Sequence, residues 1–435
     1  MELLPSLLEE LKAVSAGFPD TRGGRGGNIA MADFGLSAFS LFFMQSESFL
    51  AHQKALEKGH TKTNCQTLFG MERIPSDNYI RDNLDPVDPS ALQPLFNRME
   101  IELAKPAMKH AFQRLDGRTL IAWDGTEYFC SYKINCPHCL TRKRNNGETE
   151  NYHTMLSATV VAPGTSRVVP IMPEFIAKQD GAEKQDCERN AVKRWFDKHG
   201  QRVKSLNPIY LGDDLFACQP IAEMIKNNGD DFIFTCKETS HKALYDFIEG
   251  APKEQREDKV RKRAVTEIFR YRWIENVPLR DGKDALTVNW VALQILDAKG
   301  KVKYTMAWVT SLPVSKDNVA EIVACGRARW KIENESFNVM KNHGYELEHN
   351  FGHGKQFLAM TLAAFNLLAF AWHSVLDLLE PPWQAAREAA AKRTRFFTNI
   401  VTLTAFVVFP SWTVFLISLA THKIPPDILQ NEKIA

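Results

Sequence analysis

Apolar positions in the first 115 residues recur at helical spacing, with amphipathic runs over residues 3–14 and 34–58 and an Asp/Pro-rich break at Asp85-Pro86-Val87-Asp88-Pro89. From Arg118 the pattern changes to short apolar runs bounded by turn residues. These predict strands over 119–123, 154–161 and 167–171, a helix over 183–199, a strand over 209–211, a helix over 220–228 and a strand over 231–236. Alternating segments at 264–273, 286–296 and 303–310 predict a further antiparallel group. Two apolar stretches, 357–379 and 396–420, approach bilayer-spanning length. The first carries Asn366, His373 and Asp377, and the second carries Asn399, Pro410 and Ser411, so neither is read as a membrane span. The first is expected to be a long helix buried over the sheet.

Three carboxylates stand out against this pattern. Asp124 follows the run Leu120-Ile121-Ala122-Trp123, and Asp213 follows Ile209-Tyr210-Leu211-Gly212. Each is flanked by glycine, which predicts an acidic side chain leaving the end of a buried strand. Glu333 lies in Arg329-Trp330-Lys331-Ile332-Glu333, on a predicted helix. At about 100° per residue, Trp330, Ile332, Phe337, Val339 and Met340 share one half of that helix, and Arg329 and Glu333 fall inside it. A charged pair on a buried face needs a partner or a metal. This favours Glu333 over Glu335 as a site residue, and the plainer reading is an Arg329–Glu333 ion pair at helical spacing. Three carboxylates together supply the oxygen shell that Mg2+ or Mn2+ prefers.

The chain has 435 residues, enough for two or three domains, and a hydrophobic fraction of 44%. Its formal net charge is only +2, so any binding of nucleic acid must rest on local patches. Candidates are Arg189, Lys193, Arg194, Lys198, Arg202 and Lys204, and the run Arg261-Lys262-Arg263, each of which reads equally well as a solvated face. The Gly-rich stretch at residues 22–27 lacks the lysine and hydroxyl residue of a phosphate loop and is read as a turn. No secretory signal is evident near Met1, and a cytoplasmic location is expected.

In order and context the three acidic stations resemble the DDE transposases of bacterial insertion sequences, in the insertion-sequence-four-like group whose third motif reads Arg-Trp-x-Ile-Glu. The resemblance covers much of residues 115–380, including Asp124-Gly125-Thr126-Glu127-Tyr128-Phe129 and Lys341-Asn342-His343-Gly344-Tyr345-Glu346-Leu347-Glu348-His349. It implies an α/β protein with an RNase H-like catalytic core interrupted by a β-rich insertion. The expected division is a helical region over 1–115 with a DNA-binding role, core segments over 116–240 and 319–380, the insertion over 241–318, and a helical region over 381–435 with a role in dimerisation. The resemblance also implies that Asp124, Asp213 and Glu333 hold Mg2+ or Mn2+, that Arg329 and Lys341 contact DNA phosphate, and that a homodimer acts on double-stranded DNA at terminal inverted repeats and target sites. An activated water would cut at the element end, and the freed 3′ hydroxyl would attack the target. A nuclease with the same core, and a DNA-binding relative without catalysis, are the alternatives. Two positions depart from the group signature: Gly326 stands where it has a tyrosine, and Lys341 lies one residue beyond the expected lysine position.

Eight cysteines in a chain expected to be cytoplasmic argue against a disulfide framework. Cys136-Pro137-His138-Cys139 has the spacing that grips one metal ion from a tight turn, with zinc as the expected ion and Cys130, His138, His153 and Cys187 as candidate partners. Its plain reading is a turn with two reduced thiols. The basic residues Arg142, Lys143 and Arg144 follow, placed to present cations to phosphate. His343, His349 and His353 lie among glycines and are read as loop residues that hydrogen-bond backbone or phosphate, with direct metal binding as the alternative.

Overall fold

The computed structural model describes residues 2–23, 29–57, 62–178, 187–262, 265–426 and 428. An α/β architecture is built on a mixed 11-stranded sheet, with helices before and after it in the chain. The strands are β1 Gln113–Arg114, β2 Arg118–Ser131, β3 Leu140–Lys143, β4 Thr149–Val161, β5 Val169–Ile176, β6 Pro208–Gly212, β7 Asp231–Thr235, β8 Glu254–Lys262, β9 Val265–Pro278, β10 Thr287–Leu296 and β11 Val302–Thr310. Their order is β3-β4-β2-β6-β7-β11-β10-β9-β8, with β5 also paired to β4 and β1 to β2. The β2–β6 and β6–β7 pairs are parallel, and β4 runs antiparallel to both β2 and β5. The centre of the sheet is covered on both faces, which is why Leu120, Ile121, Ala122 and Trp123 are all fully buried rather than alternating.

The predicted sequence of strands and helices from 119 to 236 is found, with shifted ends. The strand carrying Asp124 does not stop there; it runs on to Ser131, pairing with β4 as far as Asn151. What ends is its neighbour β6, at Gly212. The antiparallel group at 265–310 is also found. It begins one strand earlier, with the charged β8, whose composition hides a strand signal, and it continues the central sheet through the pairing of β11 with β7. The helix predicted over 183–199 is observed as Glu188–His199, residues 183–186 lying outside the described ones. Most of the Gly-rich stretch, residues 24–27, and Arg263 also lie outside them.

The N-terminal run at 34–58 is two helices, Met31–Phe43 and Phe49–Leu56. Gln45 takes a left-handed conformation (φ 55°), and Ser48 caps the second helix by accepting from the Ala51 amide at 3.2 Å. Residues 396–420 likewise divide into Arg393–Phe406 and Trp412–Thr421. The two terminal regions, expected as separate parts, pack on each other. Buried Asn64 donates to the carbonyls of Thr404 and Val407, each at 2.8 Å, and accepts from the Phe409 amide at 3.0 Å. Between them runs Leu358–Leu379, the one helix among the described residues long and apolar enough to cross a membrane; 78% of its most apolar window is buried inside the fold. Phe39 and Phe43 of the N-terminal region pack their rings on its Trp372 and His373.

Candidate active site and a Cys/His metal centre

The sheet register places the first two carboxylates side by side. Ala122 of β2 pairs with Leu211 of β6, an offset of 89 positions, and the same offset separates Asp124 from Asp213. Both therefore lie level at the carboxyl end of a parallel strand pair, where β6 has just ended. Such crevices beyond parallel strand ends are where open α/β sheets place their ligands. Asp213 accepts the Leu215 amide at 2.9 Å. Its neighbour Asp214 is committed elsewhere, accepting from the Lys237 amide at 2.6 Å and from the Ser240 hydroxyl and lying 3.4 Å from His241 Nε2. Of the two adjacent aspartates, Asp213 is the one left to face the crevice.

Glu333 comes to the same place from the other direction. The chain enters through the helix Val319–Arg327, turns at Ala328 and Arg329, and passes through a π-helical turn at Ile332–Phe337 before Asn338–Asn342. Arg329 donates from Nη1 to Asp124 at 3.1 Å and pairs through Nη2 with Glu333 at 2.7 Å. The expected Arg329–Glu333 pair thus exists and extends to the first aspartate. The expectation that Glu333 lies on the buried side is wrong: its side chain is 48% exposed, and Trp330, expected on the same half of the helix, is exposed as well. The π turn carries fewer degrees per residue than an α-helix, so an angular count at 100° drifts across it.

A fourth carboxylate, Glu188, was not singled out from sequence. It opens the helix Glu188–His199 and rests against Gly125, where a Cβ would come within 2.2 Å of its Oε1. The flanking glycine is needed for this approach, which was the available signal. Burial raises the pKa of Glu188, and the charge of Asp213 adds to it. Burial likewise pushes the Asp124 carboxyl up to about 7. Arg329 opposes the shift, while Glu333, Asp213 and Glu188 reinforce it. Arg329, paired with Asp124 and Glu333, offsets part of the negative charge that these two, Asp213 and Glu188 bring to the crevice; among the described residues, the group whose ligand atoms lie close enough together to hold a metal ion is not this one but a set of cysteines and histidines.

Asp213 also lines a cleft of about 860 Å3 whose far wall includes Leu279 and Arg280, in the β9–β10 turn. Arg189, Lys237 and Lys242 contribute positive charge to it, set against Asp213, Asp214, Glu223, Asp281 and Asp284, the last of which pairs with Arg280. The other sequence-nominated cations are mostly engaged. Arg194 and Lys198 both bind Glu174, Arg202 pairs with Glu100, and Lys204 with Asp230. Arg142 bridges Glu127 and Glu150, and Arg144 also pairs with Glu150, so these two are neutralised within the fold. Lys341 pairs with Glu348 at 2.7 Å. Gly326 is explained by its surroundings: a Cβ there would lie 2.8 Å from the Trp308 indole nitrogen, leaving no room for a tyrosine.

A second cluster, behind the sheet's β3 edge, joins Cys136, Cys139, His153 and His353, whose ligand atoms all lie within 4.8 Å of one another and could hold a metal ion. Of the partners nominated from sequence, His153 is present. Cys130 and Cys187 are exposed elsewhere, and His138 stacks on Phe357. His353, read from sequence as a loop residue bonding backbone or phosphate, completes the set. Its glycine-rich loop is fixed by Asp85, whose carboxylate accepts the amides of Lys355, Gln356 and Leu358. Within the pair, the hydrogen bond shared with Cys139 draws Cys136 down toward thiolate, and His153 assists.

No protein-family model matches the chain, and no curated protein gives a significant match.

Proposed function

We propose that the protein is a DDE-type DNA transposase, cutting DNA at element ends and joining them to a target with Mg2+ or Mn2+ held by Asp124, Asp213 and Glu333. The observation that carries the reading is the convergence of three carboxylates from distant parts of the chain, two of them levelled by the β2–β6 register and the third tied to the first through Arg329. The strand order β5-β4-β2-β6-β7, with only β4 antiparallel to the rest, supports an RNase H-like core, and the strands 254–310 fit its β-rich insertion.

When bound, paired divalent ions supply the positive charge that stabilises both the attacking and the leaving oxygens of an in-line displacement. The chain's own residues do the rest. Asp213, held by the Leu215 amide, and Asp124, held by the Gly125 amide at 3.0 Å, keep their carboxylates aimed at the crevice. Arg329 balances part of their charge before substrate arrives and would offer its guanidinium donors to a phosphate oxygen. The cleft beside Asp213 offers Arg189, Lys237 and Lys242 to the DNA backbone, Arg280 being held by Asp284. Two such chains, one per end, would form the synaptic complex.

The test incubates purified protein with a plasmid carrying the gene's native flanks and Mg2+ or Mn2+, comparing the unaltered chain with Asp213→Asn and Glu333→Gln. Cutting at the ends that both substitutions abolish, followed by joined products, supports a transposase. Cutting without joining identifies a nuclease, and binding without cutting leaves a DNA-binding protein.

A further inference from the structure

We propose that Cys136, Cys139, His153 and His353 form a structural zinc site that clasps the β3 hairpin and β4 to the loop following the Glu333-bearing helix. The clasp is independent of the chemistry performed by the carboxylates.

The argument is geometric. A tetrahedral ion with Zn–S bonds of about 2.3 Å and Zn–N bonds of about 2.0–2.1 Å requires ligand edges of about 3.8 Å for S···S, about 3.5 Å for S···N and about 3.3 Å for N···N. The two sulfurs are 3.7 Å apart. Sulfur to nitrogen distances are 3.4 Å from Cys136 to His153, 3.3 Å from Cys139 to His153 and 3.5 Å from Cys139 to His353. The two Nε2 atoms are 3.2 Å apart. Five edges of one tetrahedron are therefore already set.

The surroundings fix the ligands in the form a metal needs. His353 Nδ1 lies 3.1 Å from the Gly354 carbonyl, which can only accept, so this nitrogen carries the proton and Nε2 presents a lone pair. A lone pair aimed at the other imidazole nitrogen and at the Cys139 sulfur has no purpose in a simple thiol turn. The Cys136 amide donates to Cys139 Sγ at 3.3 Å and the Cys139 amide to the Cys136 carbonyl at 3.1 Å, the tight turn that lets two cysteines grip one ion. Cys139, His153 and His353 are buried, and the rings of Tyr128 and Phe129 pack on the histidines. A mixed set of two thiolates and two imidazoles in tetrahedral array selects zinc over hard cations. A redox role for the cysteines alone would not need two convergent imidazoles.

The consequence is a cross-link between His153 and His353, 200 positions apart. It pins the segment after the third carboxylate to the strand beside the first, β4 being the neighbour of β2. Metal analysis of the full-length protein, purified without added metal, is expected to give about one zinc per chain. Exchange with Co2+ should give the thiolate-to-metal band and the visible absorption of a four-coordinate site. His353→Ala should release zinc to a chelator about tenfold faster or more, and Cys136→Ser with Cys139→Ser should abolish retention. A protein without zinc whose Co2+ complex lacks the thiolate band would overturn the proposal, as would iron at the same stoichiometry or zinc retained by the double variant. The cobalt spectrum of the unaltered chain decides the matter even if the variants fail to fold.

Discussion

Replacing Asp124 by asparagine should stabilise the metal-free protein while abolishing the divalent-metal binding proposed for it. The Asp124 carboxyl is raised from 3.8 to about 7, first by burial and then by Glu333, Asp213 and Glu188, with Arg329 the one opposing charge. The unfolded chain gives up this proton near pH 3.8, while the folded chain holds it to about 7. Between those values the folded state binds more protons, so stability falls as pH rises through the window and is unaffected by this group below it. A shift of this size corresponds to about 4 kcal/mol at pH 8. Asparagine removes the charge but also weakens the bond from Arg329, so the net gain should be about 1–3 kcal/mol. In a chain of this size that is a rise of about 1–3 °C in Tm, and urea midpoints resolve it better.

The assay is equilibrium unfolding of the unaltered chain and Asp124→Asn at pH 8 and pH 4, each in EDTA and in saturating Mn2+. In EDTA the variant should be the more stable at pH 8, and the difference should close at pH 4. In Mn2+ the order should reverse, because only the unaltered chain gains binding energy, about 4.1 kcal/mol at a thousandfold excess over Kd. A variant less stable than the unaltered chain at pH 8 in EDTA, or an equal gain at both pH values, would refute the claim that this carboxylate is held ionised against its surroundings.

Three further outcomes follow from single contacts. Gly326→Ala should lose about 1–3 kcal/mol of stability, read by urea unfolding, since the new methyl meets the Trp308 ring at 2.8 Å; an unchanged midpoint would mean the ring moves freely. Asn64→Ala removes both donors to Thr404 and Val407 and strands buried carbonyls, so it should cost about 2–4 kcal/mol and loosen the C-terminal helices, visible as faster amide exchange over 393–421. Glu188→Gln should raise the Mn2+ concentration for half-maximal DNA cleavage several-fold with little loss of the maximal rate, and an unshifted metal titration would exclude Glu188 from the metal site.

Legibility of the chain varied with the kind of element. The strands carrying Asp124 and Asp213 could be read because buried parallel strands appear as unbroken apolar runs ending at glycine. β8 could not, being Glu254-Gln255-Arg256-Glu257-Asp258-Lys259-Val260 at an exposed sheet edge, where charge replaces hydrophobicity. His353 was not named as a partner of Cys136 and Cys139 because its loop is shaped by Asp85, more than 260 positions earlier, and no local pattern reports such a contact. Glu188 was missed because its partner, Gly125, reads as a strand-end glycine when seen alone.

The same distinction bears on how firmly each of the three carboxylates is held. In a strand the side-chain period is two, so slipping β6 by one residue would turn Asp213 to the other face and separate it from Asp124. The aspartates can therefore move only together with the sheet. The third carboxylate is under a looser rule. It follows a turn and lies in a π-helical segment, where added or removed residues are absorbed by local unwinding, and its position is held by the side-chain bridge from Arg329. Around it, neighbours have adapted to what packs there: Trp308 of β11 occupies the space beside Gly326, and Lys341 has turned to Glu348. Because β11 also pairs with β7, next to β6, the strand that carries Trp308 extends the sheet on which Asp213 stands. Shortening Trp308 should thus disturb the helix bearing Glu333 before it disturbs the aspartates, and Trp308→Ala is expected to weaken metal binding through Glu333 while the β2–β6 register stays intact.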